Sequence, residues 1–447
     1  MFWKKNVTLL KRKSVALYQE VCRHSIDETV YQVMESSNKE AYTVQIRQQR
    51  YDRKQYFFLH SKYHPYKEAV AFAEGNYNAQ PEELVLYGFG LGYHVIEVGK
   101  RLQGNQRLSV FDINLDIFCL AMHYVDLESV FIHPNIILCV SEDGQEVAGQ
   151  LRSVLHNQSK LMLHMPSVRA MPDQYEKLRF VLEDWNIQQS ARSDYFELIQ
   201  ANYRENRMNQ HSNVSSLFGS LQGKPIVIVS AGPSLNKNGH LLAQVKEKAF
   251  IFAVGSALKP LLRMGVTPDM FCIMDPQQIT YKQIEGYENL DIPFVYLDSV
   301  HPYTVEKYQG PKYVASSDIS DVPDTQKVQY GGSVATAVMD MAIRFGGNPI
   351  VFVGQDLAYT NNEHHADGSM YGEEKYIEPV STMRKVKGQN GEWLYTRMGL
   401  LSFKHWIENK ISDHPSLTFI NATEGGALIE GCEHISLQNF ISLYCDR

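Results

Sequence analysis

The sequence predicts an α/β fold in which parallel sheets are covered by helices on both faces. Short apolar runs recur through the second half of the chain, and segments with helical periodicity separate them. In the first half, the apolar run Glu83–Tyr87 leads into a glycine-rich turn, and two further apolar runs follow it. Strands that alternate with helices form parallel sheets whose two faces are both buried.

Composition supports a globular protein of more than one domain. The chain has 447 residues, of which 44% are hydrophobic and 21% are charged. At about 150 residues per domain, this length indicates two or three domains. The proportions of hydrophobic and charged residues exclude a disordered or fibrous chain. The net charge of −7 argues against a dedicated nucleic-acid binder, which usually carries a basic face. We therefore expect no nucleic-acid partner.

Cysteine spacing and hydropathy predict the cellular compartment of the protein. The six cysteines have none of the short spacings of a zinc site or a redox motif, which favours free thiols in a reducing compartment. The first 25 residues interleave charges with apolar residues, so we expect no signal peptide. No stretch of about 18 apolar residues occurs, so we expect no membrane span. A cytoplasmic protein without a membrane partner is the resulting prediction.

The first 145 residues predict a small N-terminal subdomain at 1–80 and a Rossmann-like unit at 81–145. In the subdomain, Tyr42–Gln48 and Gln55–Leu59 fit strands. In the unit, the strand Glu83–Tyr87 runs into GFGLGYH, and the next strand ends at Asp112. A Rossmann-like unit begins with a strand, a glycine-rich turn, a helix and a second strand that ends in an acidic residue. Asp112 follows the glycines at about the spacing expected of an acidic residue that binds a ribose. A third strand is expected at Asn135–Val140.

A helical connector is expected at 146–222, because apolar residues recur at helical spacing in Tyr175–Trp185 and Leu198–Met208. Its end, Asn209–Gln222, is typical of a linker. Residues 223–447 then predict a larger α/β domain with C-terminal helical elements. Its predicted strands are Pro225–Ser230, Ala249–Val254, Met270–Met274, Pro293–Leu297, Tyr313–Ala315, Pro349–Val353 and Leu417–Asn421. Its predicted helices are Leu235–Lys246, Ser256–Met264, Val334–Phe345 and Leu401–Lys410.

The turn VSAGPSL, residues 229–235, is a candidate anion site. A strand ends there, and Gly232, Pro233 and Ser234 lead into a helix. Gly232 would let the backbone approach a ligand, Pro233 suits a first helical turn, and Ser234 would cap the helix or bind a phosphate oxygen. The exposed N–H groups and the helix dipole favour an anion at such a turn. A purely structural turn is the alternative.

Other predicted strand ends carry the same residue types. They are Gly255 and Ser256, then Asp275, then Gly331, Gly332 and Ser333, and finally Gln355, Asp356 and Tyr359. In a doubly wound sheet these ends share one edge, where ligands bind. Their convergence predicts a nucleotide-type ligand.

A polar loop, TNNEHHADG, follows this last strand end. His364, His365 and Asp367 lie in it, and a loop above the sheet edge would close over a ligand and supply a proton donor or base. A zinc site is a weaker alternative, because adjacent histidines point in different directions and rarely bind one ion. A solvated histidine-rich loop is the other alternative.

The second half resembles a known family. The blocks VSAGPSL, VGSALKPLLRMGVTPDMFCIMDPQ, GGSVATAVMDMA, FVGQDLAYTNNEHHADG and INATEGGALIEG are similar to those of the motility accessory factor (Maf) family of bacterial flagellin glycosyltransferases. That family shares this domain with 6-hydroxymethylpterin diphosphokinases of the MptE-like type. The resemblance covers residues 220–431, and GFGLGYH is similar to the N-terminal part of the same proteins.

The resemblance implies a transferase that moves a nonulosonic acid, of the pseudaminic or legionaminic type, from a CMP-sugar to Ser or Thr of flagellin, in the service of motility. It also implies a central domain similar to bacterial sialyltransferases. Gly232–Ser234, Gly255, Ser256, Asp275 and Gly331–Ser333 would line the nucleotide and sugar. Gln355, Asp356, Tyr359, His364 and His365 would lie over the sugar or the acceptor.

The implied chemistry needs a general base for the Ser or Thr proton, and Asp275, Asp356 and His365 are the candidates. CMP leaves as a monophosphate, so we expect no required cofactor and no metal site, with Mg²⁺ less needed than for a diphosphate donor. The sequence does not indicate an oligomeric state.

Two other functions stay open. One is a pterin or nucleotide diphosphokinase that uses ATP and Mg²⁺, with Asp269, Asp275 and Asp356 as the carboxylates for the ion. The other is a non-catalytic flagellin-binding factor. GFGLGYH also resembles S-adenosylmethionine-dependent methyltransferases, but no methyltransferase catalytic motif follows the third strand. A structural Rossmann-like unit is the preferred interpretation.

Overall fold

The structure is a computed structural model that describes residues 1–50, 53–154, 160–245, 247–370, 376–380 and 383–445. Its chain divides into two compact units, residues 1–186 and 187–447.

The first unit opens with two short helices, α1 (Trp3–Lys13) and α2 (Val15–Arg23). Ser14 separates them, and its hydroxyl accepts a hydrogen bond from the Leu17 N–H at 3.2 Å, which caps α2. Three antiparallel strands follow: β1 (Tyr31–Glu35), β2 (Tyr42–Arg50) and β3 (Arg53–Phe58). The two strands predicted in this subdomain are present, as β2 and β3.

A parallel sheet forms the core of the first unit. Within the described residues it has four strands in the order β6-β5-β4-β7. They are β4 (Glu83–Tyr87), β5 (Arg107–Asp112), β6 (Ile136–Val140) and β7 (Lys160–Leu163). The helices are α3 (Pro65–Asn76), α4 (Tyr93–Gly99), α5 (Leu115–Tyr124), α6 (Glu128–Ile132), α7 (Gly144–Val154) and α8 (Met165–Ala170).

The segment expected to be a helical connector differs from expectation in two places. It contributes β7, which pairs with β4 in the parallel sheet. The two predicted helices within 175–208 form one helix, α9 (Glu176–Asn206), in which the boundary between the units falls. Its expected linker also contains a short strand, β8 (Ser212–Asn213).

A parallel sheet of nine strands, counted over the described residues, organises the second unit. Besides β8, its strands are β9 (Ile226–Val229), β10 (Phe250–Val254), β11 (Met270–Ile273), β12 (Phe294–Leu297), β13 (Lys312–Ala315), β14 (Ile350–Val353), β17 (Phe419–Asn421) and β18 (Glu433–His434). A separate antiparallel hairpin joins β15 (Arg384–Lys387) to β16 (Trp393–Thr396). All seven strands expected in this half are present.

Helices cover this sheet between the strands. They are α10 (Leu235–Asn238), α11 (Gly255–Arg263), α12 (Pro302–Lys307), α13 (Val334–Phe345), α14 (Met398–Ser412) and α15 (Leu437–Phe440). The helix expected at Leu235–Lys246 is α10 followed by a 3₁₀ segment, Gly239–Gln244, and Lys246 lies outside the described residues. The prediction of an α/β fold with parallel sheets is confirmed.

The strands are apolar because both faces of the sheet are covered. All four residues of β9 and all four of β14 are fully buried. Burying a Val or Ile side chain contributes about 1.5 to 3 kcal/mol, so these short strands fix the centre of the unit. None of the helices in the described part of the chain is long and apolar enough to span a membrane.

Candidate functional site

The strand order of the second unit places a crevice at one position. The sheet runs β18-β17-β14-β9-β10-β11-β12-β13-β8. From β9 the chain moves in one direction through β10 to β13, then returns through α13 to β14 on the other side of β9. The loops after β9 and β14 therefore diverge to opposite faces of the sheet. Open α/β sheets bind their ligands at such a switch point.

A cleft of about 220 Å³ lies at this switch point. The loop after β9, the starts of α11 and α13, the loop after β14 as far as His365, and α14 form its walls. Its lining includes Ser230, Ala231, Gly232, Pro233, Val254, Ser256, Ser333, Val334, Ala335, Gly354, Gln355, Asp356, Leu357, Ala358, His364, His365, Leu400 and Phe403. The structure thus brings eight of the predicted site residues to one cleft: Gly232, Pro233, Ser256, Ser333, Gln355, Asp356, His364 and His365.

Asp356 ties the loop after β9 to the loop after β14. The hydroxyls of Ser234 and Thr360 each donate to its carboxylate at 2.5 Å. Asp356 is 3% exposed, and burial raises the pKa of its carboxyl group. Two donated hydrogen bonds hold this carboxylate in place, so its geometry favours a positioning role over proton abstraction.

This contact corrects the expected roles of Gly232 and Ser234. A Cβ atom at Gly232 would lie 2.0 Å from Asp356 Oδ2 and 2.5 Å from the Gly354 carbonyl oxygen. The glycine is therefore required for packing against Asp356, and it also lines the cleft. Ser234 is fully buried and spends its hydroxyl on Asp356, so it is not placed to bind a phosphate.

Two helices begin at the cleft, one without a side-chain cap and one capped by a serine. α11 starts directly after β10 with no side-chain cap, and Ser256 in its first turn lines the cleft. α13 starts after Ser333, whose hydroxyl accepts from the Ala335 N–H at 3.3 Å. Unpaired N–H groups and the helix dipole at such ends stabilise a negative charge. The cleft can therefore receive an anionic group between two helix ends.

Gly255, Gly331 and Gly332 shape the helix starts without lining the cleft. A Cβ at Gly255 would lie 2.0 Å from the Gln283 side-chain oxygen, and one at Gly331 would lie 2.4 Å from the Trp406 ring. Gly332 has a φ of +87°, which glycine adopts without strain. These glycines let other parts of the unit pack closely beside the cleft.

Gln355 holds the floor of the cleft. Its side-chain oxygen accepts from the Ser230 hydroxyl at 2.5 Å, and its backbone N–H donates to the Thr423 hydroxyl at 3.2 Å. The residue is 6% exposed. The side-chain nitrogen of Gln355 remains the group that it can offer to a ligand.

His365 is the best-placed proton acceptor. Its Nδ1 lies 3.3 Å from the carbonyl oxygen of Ala231, a contact that places a proton on Nδ1 and leaves Nε2 with a lone pair. Burial, with a smaller contribution from neighbouring His364, lowers the pKa of His365 to about 4. The imidazole is therefore neutral at pH 7 and able to accept a proton. The two histidine rings lie 4.4 Å apart.

Tyr359 and Asp275 lie outside the cleft lining. Tyr359 is 4% exposed, and the Arg397 guanidinium lies over its ring at 5.7 Å. The Tyr359 ring therefore supports the loop by packing rather than by lining the cleft. Asp275 follows β11, two strands from β9, and its carboxylate accepts from the Gln277 N–H at 2.9 Å. Of the three candidate bases, the structure places Asp356 and His365 in the cleft and leaves Asp275 beside it.

The carboxylates suggested for a magnesium site do not come together. Asp269 precedes β11 and accepts from the Ile251 N–H at 2.8 Å, at the amino end of the sheet. Asp275 and Asp356 follow their strands at the carboxyl end. Among the residues described, Asp356 is the one carboxylate in the cleft lining.

The glycine-rich turn of the first unit is filled by the chain itself. The Asp112 carboxylate accepts from the Phe89 N–H at 2.7 Å and the Asn114 N–H at 2.9 Å, and burial raises its pKa to about 6. The Leu91 N–H donates to His60 Nε2 at 2.9 Å. Donors that would meet a cofactor are thus used internally, which favours the structural interpretation of this unit.

Sequence reasoning missed two groups of residues. Leu400 and Phe403 of α14 line the cleft although they lie far along the chain, and no local signal marks them. Three buried histidines meet in the first unit: His60, His94 and His164. Two of these follow strands within two residues, so a search for histidines at strand ends would find them.

The fold defines a Rossmann-like α/β protein with a cleft at the switch point of its larger sheet. Residues 3–168 match the model of the glycosyltransferase Maf N-terminal domain, and residues 198–362 match the model described as 6-hydroxymethylpterin diphosphokinase MptE-like. The two matches confirm the resemblance to the Maf glycosyltransferases that the sequence blocks indicated.

A solved structure has the same fold. The Maf glycosyltransferase from Magnetospirillum magneticum AMB-1 aligns with a TM-score of 0.52 at 14% identity, over 98% of this chain and 74% of that chain. No curated protein matches this sequence. At 14% identity, this similarity supports a shared fold and nothing further.

Proposed function

We propose that the protein transfers a nonulosonic acid, of the pseudaminic or legionaminic type, from a CMP-sugar to Ser or Thr residues of flagellin. The reaction would take place in the cleft of the second unit. The observation that carries the proposal is the meeting of two helix N-termini with a neutral histidine in one cleft at the switch point. The proposal keeps the cytoplasmic location expected from the sequence.

The helix ends would hold the phosphate of the donor. In the transfer, the bond between the anomeric carbon and the phosphate oxygen breaks, and CMP leaves with the electron pair. Negative charge therefore grows on the phosphate as positive charge spreads over the sugar ring. Donors already aimed at the place where charge develops stabilise the transition state. The first turn of α11 with Ser256, and the start of α13 with Ser333, are such donors.

His365 would accept the proton of the acceptor. The Ser or Thr oxygen attacks the anomeric carbon, and its proton passes to Nε2 of His365. A base with a pKa of about 4 is weak, but a bound anionic donor stabilises the imidazolium and raises that pKa. The base would thus become effective when the donor is in place.

Asp356 would act through the loops that it joins. Its hydrogen bonds to Ser234 and Thr360 fix the loop after β9 against the loop that carries His365. The backbone also contributes, because the Ala366 N–H donates to the Ala231 carbonyl at 2.9 Å. These contacts would hold the base at a set distance from the phosphate site.

The match to the MptE-like model makes an ATP- and Mg²⁺-dependent diphosphokinase the second candidate. Its magnesium would need oxygen ligands, and the described cleft lining offers one carboxylate, already held by two hydroxyls. This arrangement favours the CMP-sugar reaction. A non-catalytic flagellin-binding factor would have no use for the neutral base.

We expect CMP to stabilise the protein to a similar extent with and without Mg²⁺. A ligand at 100 times its dissociation constant stabilises by about 2.7 kcal/mol, enough to raise the melting temperature by several degrees. The measurement is a thermal shift with CMP, CDP, ATP, GTP and S-adenosylmethionine, each with and without Mg²⁺. Stabilisation by ATP that depends on Mg²⁺, with none by CMP, would favour the diphosphokinase and contradict the proposal.

The pH profile of transfer should report His365. In the free enzyme this residue gains its proton near pH 4, so kcat/KM should stay level from pH 8 to about 5 and fall as the pH decreases through about 4. In the complex the donor's charge raises the pKa, so the acid limb of kcat should lie at higher pH. Circular dichroism at each pH separates loss of the base from unfolding. A limb of kcat/KM at the ordinary histidine value of about 6.5 would contradict this assignment.

A further inference from the structure

Three histidines lie together inside the first unit. His60, His94 and His164 are 3%, 1% and 4% exposed, and one ring nitrogen of each lies within 4.8 Å of the others. They come from the loop after β3, the first turn of α4 and the residue after β7. The fold therefore brings three distant segments to one buried point.

The hydrogen bonds of two of these rings fix which nitrogen faces inward. His94 donates through Nε2 to the Gly88 carbonyl at 2.7 Å, and Nδ1 of His164 lies 2.8 Å from the Ser167 hydroxyl. The other nitrogens, His94 Nδ1 and His164 Nε2, are buried and have no hydrogen-bond partner in the described structure. Metal-binding histidines are usually oriented in this way, by a hydrogen bond from the nitrogen that does not bind.

Unpartnered buried nitrogens are costly. A buried polar atom without a hydrogen-bond partner destabilises the fold, and two in one cluster need an explanation. Burial favours the neutral rings, which are the form that binds metal ions. His60 adds a third ring, and the Glu68 carboxylate lies 3.9 Å from its Nδ1.

We propose that His60, His94 and His164 form a site for a divalent transition-metal ion of the Zn²⁺ class, with the Glu68 carboxylate, now 3.9 Å from His60 Nδ1, as the fourth ligand once its side chain turns inward. Imidazole suits Zn²⁺ and its neighbours in the first row, whereas Mg²⁺ and Ca²⁺ prefer oxygen. Three nitrogens and one carboxylate oxygen match the number of ligands in a tetrahedral zinc site.

Binding would draw the nitrogens together. Ligands on bonds of about 2.0 to 2.1 Å stand roughly 3.3 Å apart around a tetrahedral ion. The rings of His94 and His164 now stack with centroids 4.1 Å apart, so side-chain rotation must turn them toward a common point. His60 must also release the Leu91 N–H or bind through Nδ1.

The metal would have a structural role. The histidines are closed to solvent, which is typical of structural rather than catalytic zinc. An ion here would clamp the loop after β3 and the glycine-rich turn to the end of β7. The site is separate from the transferase cleft, so the proposal stands independently of the donor and acceptor.

The test is the metal content of the full-length protein after removal of any histidine tag. We expect about one equivalent of Zn²⁺ per chain by mass spectrometry after exposure to Zn²⁺ and desalting, and the visible bands of tetrahedral Co²⁺ when Co²⁺ replaces it. His94→Ala and His164→Ala should lose the bound metal. His64→Ala, which removes an exposed histidine of the same unit, should keep it.

Wild-type protein that binds less than about a tenth of an equivalent would overturn the proposal, as would a high-resolution structure with a water between His94 Nδ1 and His164 Nε2 in the presence of Zn²⁺. Metal retained by both folded variants would overturn it too. If either variant fails to fold, His60→Gln and the wild-type Co²⁺ spectrum decide the question. Chelation should also lower the melting temperature of the wild type and leave that of the His164→Ala variant unchanged.

Discussion

Replacing His365 by alanine lowers kcat for transfer to flagellin by about 10²- to 10⁴-fold, the contribution typical of a positioned general base. The lone pair on Nε2 disappears, and among the described residues that line the cleft His364 is the one other histidine. Binding of CMP should change less than threefold, because the phosphate meets the helix ends rather than this ring. The measurement is initial rate at saturating donor, with CMP affinity determined in parallel.

The matched control is His240→Ala. His240 is an exposed histidine of the same unit that does not line the cleft, so kcat should stay within a factor of two. If His365→Ala keeps full kcat while His364→Ala loses it, the base has been assigned to the wrong ring. If both variants keep full activity, the loop does not handle the proton.

Replacing Gly232 by alanine should disable the cleft. The new Cβ would stand 2.0 Å from Asp356 Oδ2 and 2.5 Å from the Gly354 carbonyl, so the loop after β9 or these two buried neighbours must shift. Overpacking of this kind costs about 1 to 3 kcal/mol, or roughly 2 to 10 °C in melting temperature. Misplacing reacting groups by about 1 Å costs about 100-fold in rate. We therefore expect both a lower melting temperature and a loss of transfer of at least that size.

Gly399→Ala provides the control for this substitution. Gly399 lies in α14 of the same unit, and a Cβ there would meet no atom within 4 Å. Alanine has a higher helix propensity by about 1 kcal/mol, so the variant should be at least as stable and as active as the wild type. Wild-type stability and rate in Gly232→Ala would show that the loop after β9 relaxes without consequence, against the packing argument.

The sequence predicted most of the second unit because its signals are local. Runs such as Pro349–Val353 are short, fully apolar and bounded by glycine or proline, and a parallel strand buried on both faces has that composition. The helix Val334–Phe345 was placed at its observed bounds because Ser333 caps its start and a glycine follows its end.

The misassigned parts lack such signals. β7 has four residues, too few for a pattern, and its place beside β4 depends on distant strands. The single helix α9 reads as two because its apolar stripe is interrupted in the middle. Asp269 and Asp275 lie at opposite edges of the sheet because one precedes β11 and the other follows it.

The site was predicted as a location but not as a set of contacts. The gathering of strand ends at one edge follows from the topology, and the topology follows from the alternation of strand and helix. The dependence of Gly232 on Asp356 and the burial of Ser234 depend on residues more than 120 positions apart, which local pattern cannot reveal. The same holds for the meeting of His60, His94 and His164.

The proposed transfer of a sugar from a CMP donor to flagellin in the cleft between β9 and β14 can be measured directly. The measurement is the intact mass of flagellin after incubation with CMP-pseudaminic or CMP-legionaminic acid and the purified protein, with released CMP quantified in the same sample. We expect a mass increase of one or more nonulosonic acid residues, one CMP released for each, and loss of both in His365→Ala. Unmodified flagellin with either donor, alongside ATP- and Mg²⁺-dependent diphosphate transfer to a pterin alcohol, would contradict it.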